Sequence, residues 1–325
     1  MRVVVVGATG HTGTHLVPRL VAAGHEVVAL SRGVSQPYHP HPAWERVERV
    51  VVDREAEDAA GTFGRRVADL APDAVVDMVC FTPESAAQLV EALRPRGAHL
   101  LHAGTIWVHG RAAASPLRED DPREPFGEYG TGKDAAERLL LAETRRGGLP
   151  TTVLHPGHIS GAGWPVIGPV GNLDPDVWRR LATGGEVLVP GLGLETMHHV
   201  HAEDVAQAFH LALERPSASV GEAFHVVSDR ALTVLGFAAG AAAWFGREPV
   251  LRHVPWEEFR AAAGEHADAS WEHLSRSHSV SIDKARRLLG YAPRWTSLAA
   301  AADSVRHAAA HGRLDLAGAE VPATA

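Results

Sequence analysis

The feature that most constrains this chain is its opening, MRVVVVGATGHTG, in which a run of valines leads into three glycines. Val3 to Val6 are apolar at every position, which is typical of a parallel strand covered by helices on both faces. Gly7, Gly10 and Gly13 follow at intervals of three, and apolar residues then recur at helical spacing. These residues predict a strand, a tight turn and a helix, in that order.

The same alternation continues through the first half of the chain. Strands without alternating polarity are predicted over Arg2–Val6, Glu26–Leu30, Val47–Val52, Ala74–Val79, His99–Ala103 and Thr151–Leu154, with helices between them over Thr14–Ala23, Pro83–Leu93 and Lys133–Arg146. A stretch rich in glycine and proline follows Pro156, and further helices are predicted over Asp204–Glu214, Thr233–Phe245 and Asp283–Leu289. This order predicts an α/β fold of the Rossmann type, a doubly wound parallel sheet with a smaller C-terminal lobe.

The loosening of the pattern also predicts the domain organisation. We expect a Rossmann domain over residues 1–156, with sheet elements continuing to about residue 230. An interleaved, mainly substrate-binding lobe is expected over residues 157–316. The Ala/Gly-rich end of the chain, residues 317–325, is expected to be a disordered tail.

Composition excludes several classes of protein. The net charge of −8 over 325 residues gives no global basic footprint for nucleic acid. Cys80 is the only cysteine, which rules out an internal disulfide and suits a reducing compartment. The first apolar run is too short for a signal peptide or a membrane span. We therefore expect a soluble, cytoplasmic protein with no membrane or nucleic-acid partner.

The glycine turn predicts a dinucleotide site. Gly7 permits the sharp reversal, Gly10 lets the backbone approach a pyrophosphate, and Gly13 lets the helix pack on the strand. The intervening residues Thr9, His11 and Thr12 then lie at the positive N-terminus of the helix, beside the phosphates. The position of the turn after the first strand is the context that distinguishes this motif from a merely tight turn.

The end of the second predicted strand bears on the choice of cofactor. An NAD-binding unit commonly has an acid here that accepts a hydrogen bond from the ribose 2′-hydroxyl. This chain has Ser31 and Arg32 instead, and a guanidinium pairs well with a 2′-phosphate. The pattern favours NADP over NAD; the alternative is that Arg32 is only a solvated loop charge.

A tyrosine and a lysine four residues apart predict a catalytic pair. Tyr129 and Lys133 share one face of a predicted helix. A free phenol titrates near pH ~10, and a neighbouring ammonium lowers that pKa because it stabilises the phenolate. A tyrosine and a lysine at this spacing are common by chance, so the prediction of a catalytic pair depends on the surrounding sequence.

That context resembles the extended short-chain dehydrogenases/reductases of the NAD(P)-dependent epimerase/dehydratase group. Thr105 ends a strand 24 residues before Tyr129, and Glu119 and Pro125 lie between them as in that family. The segments HPGHISG (155–161), VHAEDVA (200–206) and DKARRLLG (283–290) resemble further family motifs, so the match covers about residues 1–310. The resemblance implies that Thr105 positions the substrate oxygen, that Tyr129 transfers its proton, and that Lys133 tunes Tyr129 and holds the nicotinamide ribose.

The resemblance implies further cofactor contacts. Asp53, with its neighbour Arg54, lies where the family has an acid beside the adenine, although Asp53 could equally cap a helix. Residues of two other strand ends are expected along the cofactor and near the nicotinamide: Val79, Cys80 and Phe81, and His155, Gly157 and His158.

Departures from the family pattern carry information about the reaction. Ile106 and Trp107 stand where sugar-nucleotide dehydratases have an Asp-Glu pair, and apolar residues cannot transfer protons, so dehydration is not expected. His155 replaces the usual arginine, His109 the tyrosine of V-Y-G, and His158 a common substrate-binding asparagine, which weakens the case for a nucleotide sugar. Cys80 is either an additional acid or base or a small buried filler.

A metal site is not expected from the sequence. His199 and His201 could share one face of a strand beside His198, but no cysteine or clear carboxylate set completes such a site. His201 already matches a family motif.

Two classes of function remain open at this point. The leading one is hydride transfer between NADP or NAD and a carbinol or carbonyl carbon of a small hydroxylated, possibly sugar-derived, substrate, by a reductase or an epimerase. The alternative is a non-catalytic dinucleotide sensor or an RNA-binding relative. A homodimer is possible in either class.

Overall fold

The central feature of the computed structural model, which describes residues 1–323, is a seven-stranded parallel sheet. The strands of the protein are β1 (Arg2–Val6), β2 (Glu26–Ser31), β3 (Glu48–Val51), β4 (Ala74–Asp77), β5 (His99–Ala103), β6 (Thr151–Pro156), β7 (His158–Ser160), β8 (Glu186–Pro190), β9 (Thr196–Met197), β10 (His199–His201), β11 (Ala223–Val226), β12 (Leu232–Thr233) and β13 (Val250–Val254). The main sheet has the order β11-β6-β5-β4-β1-β2-β3, all parallel. This confirms the predicted Rossmann-type fold.

Helices flank the sheet and form most of the lobe. They are α1 (Gly13–Ala22), α2 (Arg54–Ala59), α3 (Phe63–Asp69), α4 (Pro83–Leu93), α5 (Gly127–Arg145), α6 (Pro175–Thr183), α7 (Ala202–Glu214), α8 (Pro216–Ser219), α9 (Val234–Ala243), α10 (Trp256–Ala263), α11 (Ala267–Leu274), α12 (Asp283–Leu289) and α13 (Ser297–Ala310).

The valines of β1 explain the two-sided burial of the sheet. Val3 and Val5 pack into a core with α1 and α7, whereas Val4 and Val6 face a second core with α3, α4 and α5. All four are 3% exposed or less. Each face of the strand is thus covered by its own helical layer, as the uniform apolar run predicts.

The C-terminal lobe has a third core of its own. Trp178 of α6 stacks on Trp244 and packs against Phe237 of α9, and buried residues of β8 and α13 complete the cluster. Val321, near the end of the described chain, is also buried in this cluster. The predicted tail lies partly outside the described residues, at positions 324 and 325.

Most predicted boundaries are shifted by one or two residues, and the differences in α5 and β4 bear on the site. Helix α5 begins at Gly127 rather than Lys133, which places Tyr129 in its first turn. Strand β4 ends at Asp77 rather than Val79, since the Asp77 carboxylate accepts a hydrogen bond from the Val79 N–H (3.2 Å) and turns the chain. Among residues 1–323, no helix has both the length and the apolar character needed to cross a membrane.

Candidate active site

The glycine turn forms a tight junction between β1 and α1. Gly7 has φ +83°, and its N–H donates to the Leu30 carbonyl of the neighbouring strand (3.0 Å). A Cβ at Gly13 would overlap the Ala8 carbonyl, so only glycine allows this approach of helix to loop. Thr12, at the start of α1, provides no side-chain cap. Within the described chain, no side chain therefore caps the N-terminus of this helix, and its N–H groups are the kind that bind an anion.

His11 connects this turn to the C-terminal lobe. Its imidazole stacks on Trp164, with ring centroids 5.3 Å apart and planes inclined by 6°, and meets the edge of Tyr38. Both ring nitrogens are buried without a partner among the described residues. Burial lowers the pKa of His11 to about 3, with the nearby His15 acting in the same direction. The ring is neutral at physiological pH and closes one side of the turn.

Ser31 and Arg32 lie at the same edge of the sheet as the glycine turn. The Ser31 hydroxyl accepts a hydrogen bond from the Gly33 N–H (3.4 Å). Arg32 is exposed, and its guanidinium has no hydrogen bond or ion pair within residues 1–323. Asp53 caps α2 by accepting from the Ala56 N–H (3.1 Å). An exposed, unengaged guanidinium at this edge is suited to a phosphate.

Arg54 occupies a structural position that the motif did not indicate. Its guanidinium forms an ion pair with Asp77, donates to Ser85 (2.8 Å) and lies over the Phe63 ring at 4.4 Å. Burial alone would raise the pKa of Asp77, but Arg54 outweighs this effect and holds the pKa below its ordinary value. Arg54 thus ties the start of α2 to the end of β4, and its predicted cofactor contact remains a prediction.

The Thr–Tyr–Lys set converges at the carboxyl ends of β4 and β5. Thr105 follows β5, is 5% exposed, and accepts a hydrogen bond from the Trp107 N–H (3.2 Å). Tyr129, on the first turn of α5, packs edge-on against Trp107 at 5.6 Å and is 44% exposed. Lys133 follows one turn later and is 2% exposed. The end of β5 therefore places Thr105, and α5 places Tyr129 and Lys133, in one region beside the loop after β4.

Lys133 is held by backbone carbonyls. Its ammonium donates to Cys80 O (2.8 Å) and Ala103 O (2.6 Å), and it lies 5.9 Å from the Tyr129 ring. Burial lowers the pKa of Lys133 to about 8. The pKa of Tyr129 is raised by burial, and the Thr105 hydroxyl opposes that shift. The ammonium is directed at the two carbonyls, and the expected lowering of the phenol pKa by Lys133 stays a prediction.

The loop after β4, which contains Val79, packs directly against α5. Phe81 is half exposed and lies 4.6 Å from the Lys133 ammonium. Gly132 gives this loop room, since a Cβ there would come within 2.7 Å of Phe81 O. Cys80 is buried, and burial raises the pKa of its thiol to about 11. A neutral, buried thiol agrees with the interpretation of Cys80 as a filler.

The end of β6 is dominated by histidines. His155 is fully buried and its Nε2 is 2.6 Å from the Glu137 carboxylate, so this ring faces α5. Gly157 lies against the backbone of His198, where a Cβ would overlap the His198 carbonyl. His158 donates from Nδ1 to the same carbonyl (3.3 Å), and its Nε2 is buried and unpartnered among the described residues.

An aromatic row links this strand end to Tyr129. His158 packs on His273 (5.0 Å), His273 on Trp107 (5.2 Å), and Trp107 on Tyr129. The guanidinium of Arg276 lies 3.7 Å from the Trp107 ring centroid. The sequence does not predict His273 and Arg276, since nothing near them marks a contact with Trp107, more than 160 residues away.

The three histidines considered for a metal diverge. His198 contacts the Ser228 carbonyl (2.9 Å), His199 contacts the Ser160 hydroxyl (2.9 Å), and His201 stacks on Trp295 (4.1 Å). Within residues 1–323 their nitrogens do not form a common group.

Comparison with known proteins places this geometry in a family. The model of the NAD dependent epimerase/dehydratase family matches residues 3–226. The chain is 29% identical over 209 residues to 2′-dehydrokanamycin reductase of Streptomyces kanamyceticus, a match that spans 64% of this chain and only 56% of that relative. It is 29% identical over 319 residues to 3-diazoavenalumate denitrifying reductase of a Streptomyces species, with 90% of this chain and 96% of the relative covered.

A solved structure agrees in fold over nearly the whole chain. UDP-glucose 4-epimerase of Thermotoga maritima, solved with UDP-glucose, superposes with a TM-score of 0.70 at 21% identity, covering 96% of this chain and 99% of that one. At this identity the likeness concerns the fold alone. The family model, by contrast, spans both the glycine turn and the Tyr129–Lys133 pair. The chain belongs to the NAD dependent epimerase/dehydratase family.

Proposed function

We propose that this protein is an NADP-dependent reductase that delivers hydride to a carbonyl carbon of a small hydroxylated substrate. The observation that carries the proposal is the convergence of Thr105, Tyr129 and Lys133 at the strand ends, at the same edge of the sheet as the glycine turn. A bound nicotinamide would supply the hydride. The residues of the chain then have only to position the carbonyl and supply a proton.

Each member of the set has a role that follows from its surroundings. The Thr105 hydroxyl lies beside Tyr129 and can hold the substrate oxygen in hydrogen-bond reach of the phenol. Any phenol is protonated near neutrality, so Tyr129 can donate its proton to the developing alkoxide. Lys133 can exchange its two carbonyl acceptors for ribose hydroxyls, and its charge then stabilises the phenolate that forms.

The choice of a reductase over an epimerase rests on the relatives, because one Tyr129 proton serves both reactions. Both curated relatives described above are named as reductases. Dehydration is disfavoured because Ile106 is fully buried and Trp107 is part of the aromatic row, so neither position offers an acid or a base.

The cofactor preference rests on Arg32. Its guanidinium is exposed and unengaged within the described residues, at the edge of the sheet where β2 ends. A 2′-phosphate is a doubly charged acceptor that a guanidinium binds through two hydrogen bonds. NADP is therefore the cofactor we expect.

The test is a turnover assay that follows both product and cofactor. Purified protein is incubated with NADPH and a panel of small ketones and keto sugars, with the near-ultraviolet absorbance of NADPH recorded. Loss of NADPH equal to the alcohol formed supports the reductase. Inversion of an alcohol with retained cofactor and no net change in absorbance would show an epimerase. Salt-sensitive binding of hairpin RNA that persists in Tyr129→Phe, without turnover, would favour the RNA-binding alternative.

A further inference from the structure

Three fully buried histidines from distant parts of the chain meet beneath the active site. They are His109, at the end of the short 3-10 turn after Thr105, His155 of β6 and His225 of β11. His155 and His225 are direct partners in the parallel pairing of their strands, so the sheet itself places the two rings side by side. The three residues are 2%, 0% and 0% exposed.

The rings are close enough to share one ion. One ligand nitrogen from each lies within 4.8 Å of the others. In the metal-free chain the Nε2 atoms of His109 and His225 are 2.8 Å apart in a hydrogen bond, with His109 as the donor, and a bound ion would replace this proton. In a tetrahedral zinc site, bonds of about 2.0–2.1 Å separate the ligand nitrogens by about 3.3 Å. Displacements of about an ångström would therefore convert the cluster into a coordination set.

Hydrogen bonds to acceptor-only groups fix the ring protons of two of the three. The Ser281 carbonyl lies 3.1 Å from His225 Nδ1, so that nitrogen carries the proton and Nε2 keeps its lone pair. The Glu137 carboxylate lies 2.6 Å from His155 Nε2, so the lone pair is on His155 Nδ1, which is buried and unpartnered among the described residues. Histidines that ligate metals in proteins characteristically have their second nitrogen bound in this way, to a carboxylate or a carbonyl.

The charge around the rings suits a cation. The Glu119 carboxylate lies 4.0 Å from His225 Nδ1 and accepts a hydrogen bond from the backbone N–H of His225. The second carboxylate, that of Glu137, is fully buried. Arg123 pairs with Glu137 at 2.7 Å. The surroundings of the three imidazoles thus contain two carboxylates and one guanidinium, a net negative charge. Glu119 and Arg123 also line a charged cavity of about 670 Å³ at the surface.

We propose that His109, His155 and His225 bind a divalent transition-metal ion, with zinc as the ion to be tested. Such an ion would tie β6 and β11 to the turn that begins at Thr105 and would steady that turn under the substrate. It would not touch the reacting atoms. The proposal departs from the sequence-based expectation of no metal, because residues 109, 155 and 225 show no ligand spacing along the chain.

The experiment measures metal directly and does not depend on turnover. Tag-free protein is stripped with chelator, incubated with Zn²⁺, desalted, and analysed for zinc by mass spectrometry. We expect about one zinc per chain and a higher melting temperature. Co²⁺ in place of Zn²⁺ should give visible absorption bands of a site with low coordination number. The proposal is overturned if the stripped chain retains no zinc after incubation with Zn²⁺, and neither its melting temperature nor the cobalt absorption changes.

Matched variants locate the ion. His109→Gln and His225→Gln should lose the bound zinc and the cobalt bands, and Glu137→Gln should weaken zinc binding about 10- to 100-fold. His25→Gln, which alters a separate cluster with His210 and Glu214, should behave as the unmodified chain. Loss of zinc in His25→Gln alone overturns the proposal. Near-ultraviolet circular dichroism identifies any variant that is unfolded. If the histidine variants are unfolded, the zinc content of the unmodified chain and of His25→Gln is the test.

Discussion

At the scale of single residues, Tyr129 is the group whose removal should be most informative. Tyr129→Phe keeps the ring packed against Trp107 but removes the proton donor. We expect the turnover rate to fall by about 10²- to 10⁴-fold, with NADPH binding, measured by fluorescence titration, unchanged. Tyr38→Phe is the control, since this phenol lies beside His11 and not beside Thr105 and Lys133. Full activity in Tyr129→Phe would remove the basis of the proposed mechanism.

Arg32 should decide between the two nicotinamide cofactors. Arg32→Gln removes the charge-assisted hydrogen bonds to a 2′-phosphate, and we expect NADPH affinity to fall about 10- to 100-fold while NADH affinity is unchanged. Isothermal titration with each cofactor measures both values. Arg96→Gln, a surface change at the opposite end of α4 from the strand-end loops, serves as control. Equal weakening for both cofactors would contradict the assignment of Arg32.

The buried ammonium of Lys133 predicts a specific dependence of stability on pH. Its pKa is about 8 in the folded chain, against an ordinary value of 10.5. Between these values the folded chain has released the proton and the unfolded chain still binds it, so the free energy of unfolding rises with pH. Lys133→Met lacks this titration. We therefore expect the unmodified chain to gain stability relative to Lys133→Met between pH 8 and 10.5.

Denaturant unfolding of both proteins across that range provides the measurement. Subtracting one curve from the other removes the titration of all groups that the two proteins share. A difference in stability that is constant from pH 8 to 10.5 would show that Lys133 has no depressed pKa in the folded chain.

At the scale of elements, the contact between α5 and the loop after β4 depends on one glycine. A Cβ at position 132 would lie 2.7 Å from Phe81 O, and a carbonyl in a packed loop cannot move away freely. We expect Gly132→Ala to lower the free energy of unfolding by about 1–3 kcal/mol and to impair turnover, because Lys133 follows directly. Glu128→Ala, at an exposed position of the same helix, should change neither. Thermal and denaturant unfolding measure the difference.

The elements were largely predictable because their signals are local. Six of the seven strands of the sheet and the bounds of α4 and α12 follow from apolar runs and from residues such as Pro83 and Gly290. The predicted start of α5 is too late, because Gly127, Gly130 and Gly132 all disfavour a helix in an isolated chain. In the folded protein a Cβ at Gly132 would come within 2.7 Å of Phe81 O, and Gly127 has φ +72°, so packing and backbone geometry override the local preference.

At the scale of the whole molecule, the parallel sheet is what makes the clustering of the candidate site residues predictable. All carboxyl ends of parallel strands lie at one edge, so residues that follow β1, β2, β4 and β5 must gather there. His273 and Trp164 could not be predicted in the same way. Each is brought in by the packing of the lobe, and no spacing along the sequence encodes that packing. The same holds for the inward orientation of Arg54 and for the His109–His155–His225 cluster.

The stack of His11 on Trp164 makes cofactor binding observable. The indole lies against the turn that would surround the pyrophosphate, and it is 44% exposed. Binding of NADPH should therefore change the tryptophan fluorescence, and Trp164→Phe should lose most of that change while keeping NADPH affinity within about threefold, since a phenyl ring retains the apolar packing. Trp271→Phe, similarly exposed but placed against Trp256, should retain the signal.

The same contact has a kinetic consequence. Because Trp164 stacks on His11 of the glycine turn, a cofactor bound at that turn would also set the position of the Trp164 segment. We expect cofactor to bind before substrate, and product to leave before the used cofactor. Trp164→Ala, which removes the stacked ring, should turn this ordered sequence into a random one, and product-inhibition patterns would display the change.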